Sequence, residues 1–464
     1  MRELKPRAKL ATEANTLSSA AQLVRYRSTT YIPADFETLD VSVPPAPERT
    51  IWLPLTRPGL RALAGDMFST LFATDSELAS FDYMVAQTAT YQPDAMSSLL
   101  IRTEEGLMEL NDEGVLSPAT GEFRPNALRP MLNVDQADKD RVFAVISGWL
   151  DSDQEAESLL SHLATSLAPG WSAVKYILLL GDGRNGKSLM LKMLASLFGP
   201  ENVANVTRQS IAEQNPVVTE LNGKLLNIVY DGRAEYLKDS GTEKSLIAGE
   251  PVPIRKLYES TSTTVQTNAL FLEGLQKEPK SHDKSSALQK RLVRFQFPNV
   301  YPLNHRFERH MLTEETLGAF LSLLVDRYVT EDTIAARLMP TTRSLELQLE
   351  SMFTNSIGLQ FLKHMEETDA FGARGLLGSP MSELVAKFQS WRLKENDLGT
   401  WAEPDVMGLF GPLLTTERKS ARDLHGQPRK IRVITSYKAE AAAFIESLKG
   451  ETDDADVIEA LVEE

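Results

Sequence analysis

Val174-Lys-Tyr-Ile-Leu-Leu-Leu-Gly-Asp-Gly-Arg-Asn-Gly-Lys-Ser188 is the stretch that decides the fold. Its first half is apolar almost throughout, which predicts a strand buried on both faces of a parallel sheet. Its second half, Gly181, Asp182, Gly183, Arg184, Asn185, Gly186, Lys187 and Ser188, has the spacing Gly-x4-Gly-Lys-Ser. The apolar run Ser188 to Phe198 then predicts a helix. Strand, glycine-rich loop and helix form the context in which this spacing cradles phosphates. Glycines let backbone N–H groups wrap an anion at the helix N-terminus, where the helix dipole favours negative charge. Lys187 is expected to reach the β- and γ-phosphates of ATP, and the Ser188 hydroxyl to bind Mg²⁺.

Working outward, a metal-binding acid belongs at the end of another core strand. Lys224 to Tyr230 reads as that strand, and Asp231 stands at its C-terminal end. Asp231 is assigned to the magnesium shell, and Glu235 is the candidate base for the attacking water. From Lys175 to about Pro298, strands and helices alternate, so the expected class is α/β with a parallel sheet flanked by helices. Asp138 to Leu167 reads as helical, as does Thr313 to Ala336. Ser379-Pro380 opens an amphipathic helix running to about Glu395. Residues 1 to about 94 are poorly patterned apart from a helix around Leu60 to Phe72. Ser98 to Leu110 predicts two short strands about a turn, and Phe123 to Val134 completes a small β segment.

Composition narrows the field. The chain has 464 residues, no cysteine and only six histidines. Disulfides and cysteine-based zinc modules are therefore excluded. No apolar run reaches the roughly 18 residues of a membrane span, so no membrane partner and a cytoplasmic location are expected. Net charge is −15, which is unusual for a nucleic-acid binder. The charge is uneven, however: Gly450 to Glu464 carries only acids, whereas Arg418, Lys419, Arg422, Arg429, Lys430 and Arg432 cluster in one short stretch.

Three further features select among the proteins that carry such a loop. They are Asn185 ahead of Gly186-Lys187-Ser188, the run Glu243 to Tyr258 containing Gly249-Glu-Pro-Val-Pro-Ile-Arg-Lys-Leu-Tyr258, and Glu278 to Pro298 with its Gln-Lys-Arg-Leu-Val-Arg core. In this order they resemble superfamily 3 helicases, the ring-forming AAA+ motors of the phage and poxvirus primase–helicase type. The likeness runs from about residue 98 to about 300 and continues weakly to about 440.

That resemblance implies an AAA+ ATPase core, a homo-hexamer, and translocation 3′→5′ on single-stranded or forked DNA during replication of a phage or other mobile element. The location would then be the host cytoplasm. It implies that Gly249 to about Gly274 forms a hairpin entering the ring's channel, with Arg255 and Lys256 on phosphates and Tyr258 on sugar or base. It implies an arginine finger at Arg291 reaching a neighbouring subunit, with Lys290 and Arg294 as alternatives. Thr267-Asn268 looks like the pair that ends the sensor strand in relatives. Yet the apolar run begins after Asn268, so Gln276 is expected to be the γ-phosphate sensor and Asn268 a residue of the hairpin's returning strand. No counterpart of the primase domain of many relatives is expected in this sequence, so a separate primase or polymerase is an expected partner.

The expected organisation is an N-terminal accessory region (1–94), a small helicase-associated domain (95–168), the ATPase domain (169–335), a winged-helix-like DNA-binding domain (336–449) and an acidic tail (450–464). Two other readings stay open: a regulatory AAA+ ATPase that remodels proteins without moving on DNA, and an origin-melting initiator.

Overall fold

The computed structural model describes the chain except residues 1–6, 27–28, 36, 43–44, 69–71, 73, 93–98, 112–113, 125, 151, 169–173, 233–240, 256–261, 279–287, 289–290, 329–337, 369, 371–374, 395–402, 412, 423–427, 439–440 and 443–464. The chain divides into two compact units, Met1–Thr341 and Thr342–Glu464.

The first unit is built around a five-stranded, all-parallel sheet. The first eight strands of the chain lie ahead of it: β1 (Val24–Tyr26), β2 (Thr29–Asp35), β3 (Thr50–Pro54), β4 (Thr90–Gln92), β5 (Leu99–Thr103), β6 (Gly106–Leu110), β7 (Leu116–Pro118) and β8 (Ala127–Met131). The central sheet uses β9 (Tyr176–Leu180), β10 (Val203–Ala204), β11 (Leu226–Val229), β14 (Leu270–Leu275) and β15 (Leu292–Gln296), in the order β10-β11-β14-β9-β15. Between β11 and β14 the chain makes an antiparallel hairpin of β12 (Val252–Arg255) and β13 (Ser262–Val265).

Strand alternation explains why the sheet is covered on both faces. Ile177 and Leu179 join a core with Leu272, Val293 and Phe295 and with helices Gln136–Leu150, Asp153–Ala164, Lys187–Phe198 and Glu314–Val325. Tyr176, Leu178, Phe271 and Leu275 point to the other face, against Ile211, Val218, Leu221, Leu246 and Ile247. The expected mixed α/β fold with a parallel sheet flanked by helices is therefore present. Helix Lys187–Phe198 is apolar nearly all round, as a helix packed between sheet and further helices must be.

Several boundaries differ from expectation. Asp138 to Leu167 is two helices, because Ser152 breaks the run and caps the second by accepting from the Glu155 N–H. The hairpin ends at Val265, so Asn268 lies in the connection to β14 and outside the returning strand. The N-terminal region is more ordered than its sequence suggests: β3-β2-β1-β4 form a sheet that packs with helices Arg7–Ala20, Arg57–Phe68 and Asp75–Thr88. Ser98 lies outside the described residues, and from Leu99 to Leu110 the two expected strands form the β5–β6 hairpin, turning at Glu104–Glu105.

The second unit holds helices Thr342–Asn355, Ile357–Glu367, Met381–Lys394 and Glu403–Phe410 and a hairpin of β16 (Leu414–Arg422) and β17 (Pro428–Tyr437). Phe361, Phe388 and Phe410 meet edge to face in its core. Arg418 stands directly opposite Arg432 on the hairpin, and both are exposed. The acidic tail lies outside the described residues.

Candidate functional site

The site is the C-terminal edge of the central sheet. Ligands of open parallel α/β sheets collect outside this edge, because the loops there are free to diverge. Gly181–Ser188 follows β9, and helix Lys187–Phe198 begins inside it with Gly186 at its N-cap. Three glycines of the loop adopt positive φ: Gly181 at 151°, Gly183 at 102° and Gly186 at 97°. At Gly181 and Gly186 the space is also filled. A Cβ on Gly181 would collide with the Asn185 amide, and one on Gly186 would lie 2.6 Å from the Trp149 indole. Gly183, by contrast, has open space above it.

Surrounding segments hold the loop in shape. The Asn185 amide donates to the Phe297 carbonyl at 3.1 Å. The Tyr301 N–H donates to the Arg184 carbonyl at 2.8 Å, while its hydroxyl and the Asn299 amide both donate to the Gly148 carbonyl. Lys187 is buried, and its ammonium donates to the Asn185 side-chain oxygen at 3.0 Å and to the Gly181 carbonyl. Burial lowers its pKa, while the carboxylates of Asp182 and Asp231 pull the other way. Ser188 and Asp182 are exposed.

The neighbouring strand ends are stitched to the loop through the backbone. Gly181 N–H donates to the Leu275 carbonyl at 3.1 Å, and Phe297 N–H to the Leu180 carbonyl at 2.8 Å. Gly232 N–H donates to the Gly274 carbonyl at 2.8 Å. Asp231 therefore follows β11 and Gln276 follows β14 on the same edge as the loop, and both side chains are exposed. Asn268 precedes β14 and so lies at the opposite edge. Glycine is required where the strand ends crowd: a Cβ on Gly232 would collide with the Glu273 carboxyl, and one on Gly274 would sit 2.8 Å from the Tyr230 carbonyl.

Other expected site residues fall elsewhere or outside the described residues. Arg255 is exposed at the end of β12. Arg291 is half-buried immediately before β15, and its carbonyl accepts from the Tyr176 N–H at 2.8 Å. Arg294 is fully buried in β15 and makes a bidentate pair with Glu278 at 2.8 Å for each bond. The Arg294 side chain is therefore engaged within this chain. Lys290, Glu235, Lys256 and Tyr258 lie outside the described residues.

The donor set suits a nucleoside triphosphate with magnesium. It offers one buried cation, a helix N-terminus, an exposed hydroxyl and an exposed carboxylate. Among the described residues no three His, Asp or Glu side chains gather as a metal site. Magnesium commonly takes one or two protein ligands and completes its shell with phosphate and water oxygens, so a site with few protein ligands would not be unusual for it. An open groove of about 600 Å³ along β10, lined by Tyr31, Asn205, Lys224 and Tyr230, lacks comparable chemistry. Its Lys224 is already bound to the Pro200 and Glu201 carbonyls.

The fold is that of an α/β protein with a glycine-rich loop at the C-terminal edge of a parallel sheet. A family of unknown function, DUF5906, matches residues 179–290, which span the loop through the hairpin to Lys290. The apo structure of the NrS-1 C-terminal region is similar at 12% identity and a TM-score of 0.47, covering 94% of this chain and 100% of that one. The A-form apo structure of the same region gives 12% and 0.46 over the same shares. No curated protein matches the chain. Among the described residues no helix is long and apolar enough to cross a membrane.

Proposed function

We propose that the chain is a magnesium-dependent ATPase of the AAA+ type that moves single-stranded DNA during replication of a phage or mobile element. The observation that carries this reading is the convergence of Gly181–Ser188, Asp231 and Gln276 on one sheet edge. Lys187 and the loop N–H groups would hold the β- and γ-phosphates, and Ser188 and Asp231 would hold magnesium. With magnesium bound, charge on the γ-phosphoryl group is neutralised and its transfer to water is eased. Gln276 would orient that water through its amide, and Glu235 is the candidate to take its proton. An arginine supplied by a neighbouring subunit, Arg291 by preference, would stabilise the transition state and make turnover depend on a ring. The β12–β13 hairpin supports a DNA-contacting role, because exposed Arg255 ends β12 and Lys256 follows it in sequence. The Arg418–Arg432 pair supports a second anion-binding surface in the C-terminal unit. Like charges directly opposite on a hairpin destabilise it, and a phosphate backbone would relieve them.

The test is ATP turnover with and without magnesium and with and without single-stranded DNA, for the wild type and Lys187→Ala. Turnover should require magnesium, rise with DNA and vanish in the variant. Turnover that DNA leaves unchanged would favour the protein-remodelling ATPase. Full turnover by a folded Lys187→Ala protein would end the ATPase reading altogether.

A further inference from the structure

On the face of the sheet opposite helix Lys187–Phe198, the apolar layer holds several buried polar side chains. Among them are Tyr176, Arg208, Glu243 and Glu273, none more than 5% exposed. They form a connected series. The Arg208 Nε donates to Glu243 at 2.6 Å, and a second guanidinium N–H reaches the other carboxylate oxygen at 3.3 Å. The same guanidinium lies 5.4 Å from the centre of the Tyr176 ring. The Tyr176 hydroxyl donates to Glu273 at 3.3 Å. The Glu273 carboxyl in turn packs against Gly232, where an added Cβ would collide with it.

The two ends of this series are what make it informative. Glu243 sits on helix Gly241–Ile247, which turns through Gly249 (φ 73°) straight into β12 of the hairpin. Bonds from Gly249 N–H to the Leu246 carbonyl and from Glu250 N–H to the Ser245 carbonyl fix that turn. Gly232 follows Asp231. The series thus runs from the stem of the hairpin to the backbone that carries the candidate magnesium carboxylate. Stability does not explain it. Apolar residues of equal volume in place of a buried ion pair are often neutral or stabilising, whereas a directional pair is either made or broken and so fixes one arrangement. Packed hydrogen-bonded elements with discrete arrangements are what carry coupling between distant sites.

We propose that Glu243, Arg208, Tyr176 and Glu273 are positioning residues that couple the β12–β13 hairpin to the Asp231 loop. The proposal rests on the motor reading above. Whatever moves the hairpin stem shifts the Asp231 backbone, and by linkage whatever binds at Asp231 biases the hairpin.

The experiment uses the full chain and two variants. Arg208→Met with Glu243→Leu replaces the ion pair by apolar groups of similar size. Tyr176→Phe removes only the hydroxyl that bridges to Glu273. Basal ATP turnover, turnover with a single-stranded oligonucleotide, and oligonucleotide affinity with and without a non-hydrolysable ATP analogue are measured. Coupling of typical size makes the expected loss about fivefold or more in DNA stimulation for the double variant, with basal turnover within about twofold of wild type. Both variants should also lose the difference in DNA affinity between the nucleotide-bound and nucleotide-free protein, a readout that a merely structural role would not move. Wild-type stimulation and wild-type affinity difference in either folded variant overturn the coupling while leaving the motor intact. A wild-type protein without DNA stimulation overturns both, which separates the two failures.

Discussion

Gly186 lies directly against the indole of Trp149, with a Cβ at that position falling 2.6 Å from the ring. Trp149 lies in the last turn of helix Gln136–Leu150 and is 4% exposed, so a buried aromatic floor supports the point where the glycine-rich loop becomes a helix. Glycine is needed there twice over, for φ of 97° and for space.

Trp149 should therefore report nucleotide. Adding ATP with magnesium is expected to change tryptophan emission, and Trp149→Phe, which keeps an aromatic floor, should abolish most of the change. The other four tryptophans serve as the control. An unaltered signal change in Trp149→Phe would show that the floor does not sense the loop. Gly186→Ala should lose nucleotide binding, since left-handed backbone alone costs a side chain about 1–2 kcal/mol before the clash with the ring is counted.

Gln276 and Asn268 make opposite predictions because they sit at opposite ends of β14. Gln276→Ala should cut turnover about a hundredfold with nucleotide affinity nearly kept, a loss of about 3 kcal/mol of transition-state stabilisation. Asn268→Ala should stay within about threefold of wild type, since it only adjusts a connection. Steady-state kinetics of the two variants decide the matter, and the reverse ranking would move the sensor to Asn268.

Arg291 is expected to act on a neighbour's nucleotide. Inactive Arg291→Ala and Lys187→Ala proteins, mixed under conditions where subunits exchange, should regain turnover at interfaces that combine an intact loop with an intact arginine. No mixture exceeding the sum of the separate activities would remove the trans role.

His162 gives a pH dependence whose sign is fixed by its surroundings. Burial pushes its imidazole down to about 4, helped by the positive charge of Lys175, while the Ser158 carbonyl 2.7 Å from Nδ1 opposes the shift. Among the described residues its Nε2 has no hydrogen-bond partner, and the ring meets Phe295 edge-on. The unfolded chain takes up the proton near pH 6.5 and the folded one does not. Stability from this residue is thus full above pH 6.5 and falls toward pH 4, by up to about 1.4 kcal/mol per pH unit. Urea unfolding at pH 7, 6 and 5 should show a shallower acid loss in His162→Leu than in wild type. Parallel slopes would mean that the imidazole titrates normally.

Much of the site was legible because its signals are local. The apolar run Val174–Leu180, the loop spacing and the apolar helix after it lie within one short stretch, and the placing of Gln276 after β14 needed only the start of the apolar run at Ala269. The hairpin was legible as a region but not in its bounds, since Leu270–Leu275 looked like part of its return until the ladder with β9 and β11 separated them. Less visible was the N-terminal sheet, whose β1 and β4 are three residues each and pair in parallel from opposite ends of the region. Local pattern carries almost no trace of such a contact. The buried series was equally hidden, because Tyr176 and Glu273 meet only through folding. One clue was present: a glutamate inside the otherwise apolar Leu270–Leu275 must find a partner or remain protonated.

The place of β14 between β9 and β11 sets a length. Adjacent strands stand about 4.8 Å apart, so the roots of the Lys187 loop and of Asp231 are held about 9.6 Å from each other. That gauge is written in main-chain hydrogen bonds, so substitutions in the sheet can change what lines the gap without changing its width. Only the loss or insertion of a strand would reset it.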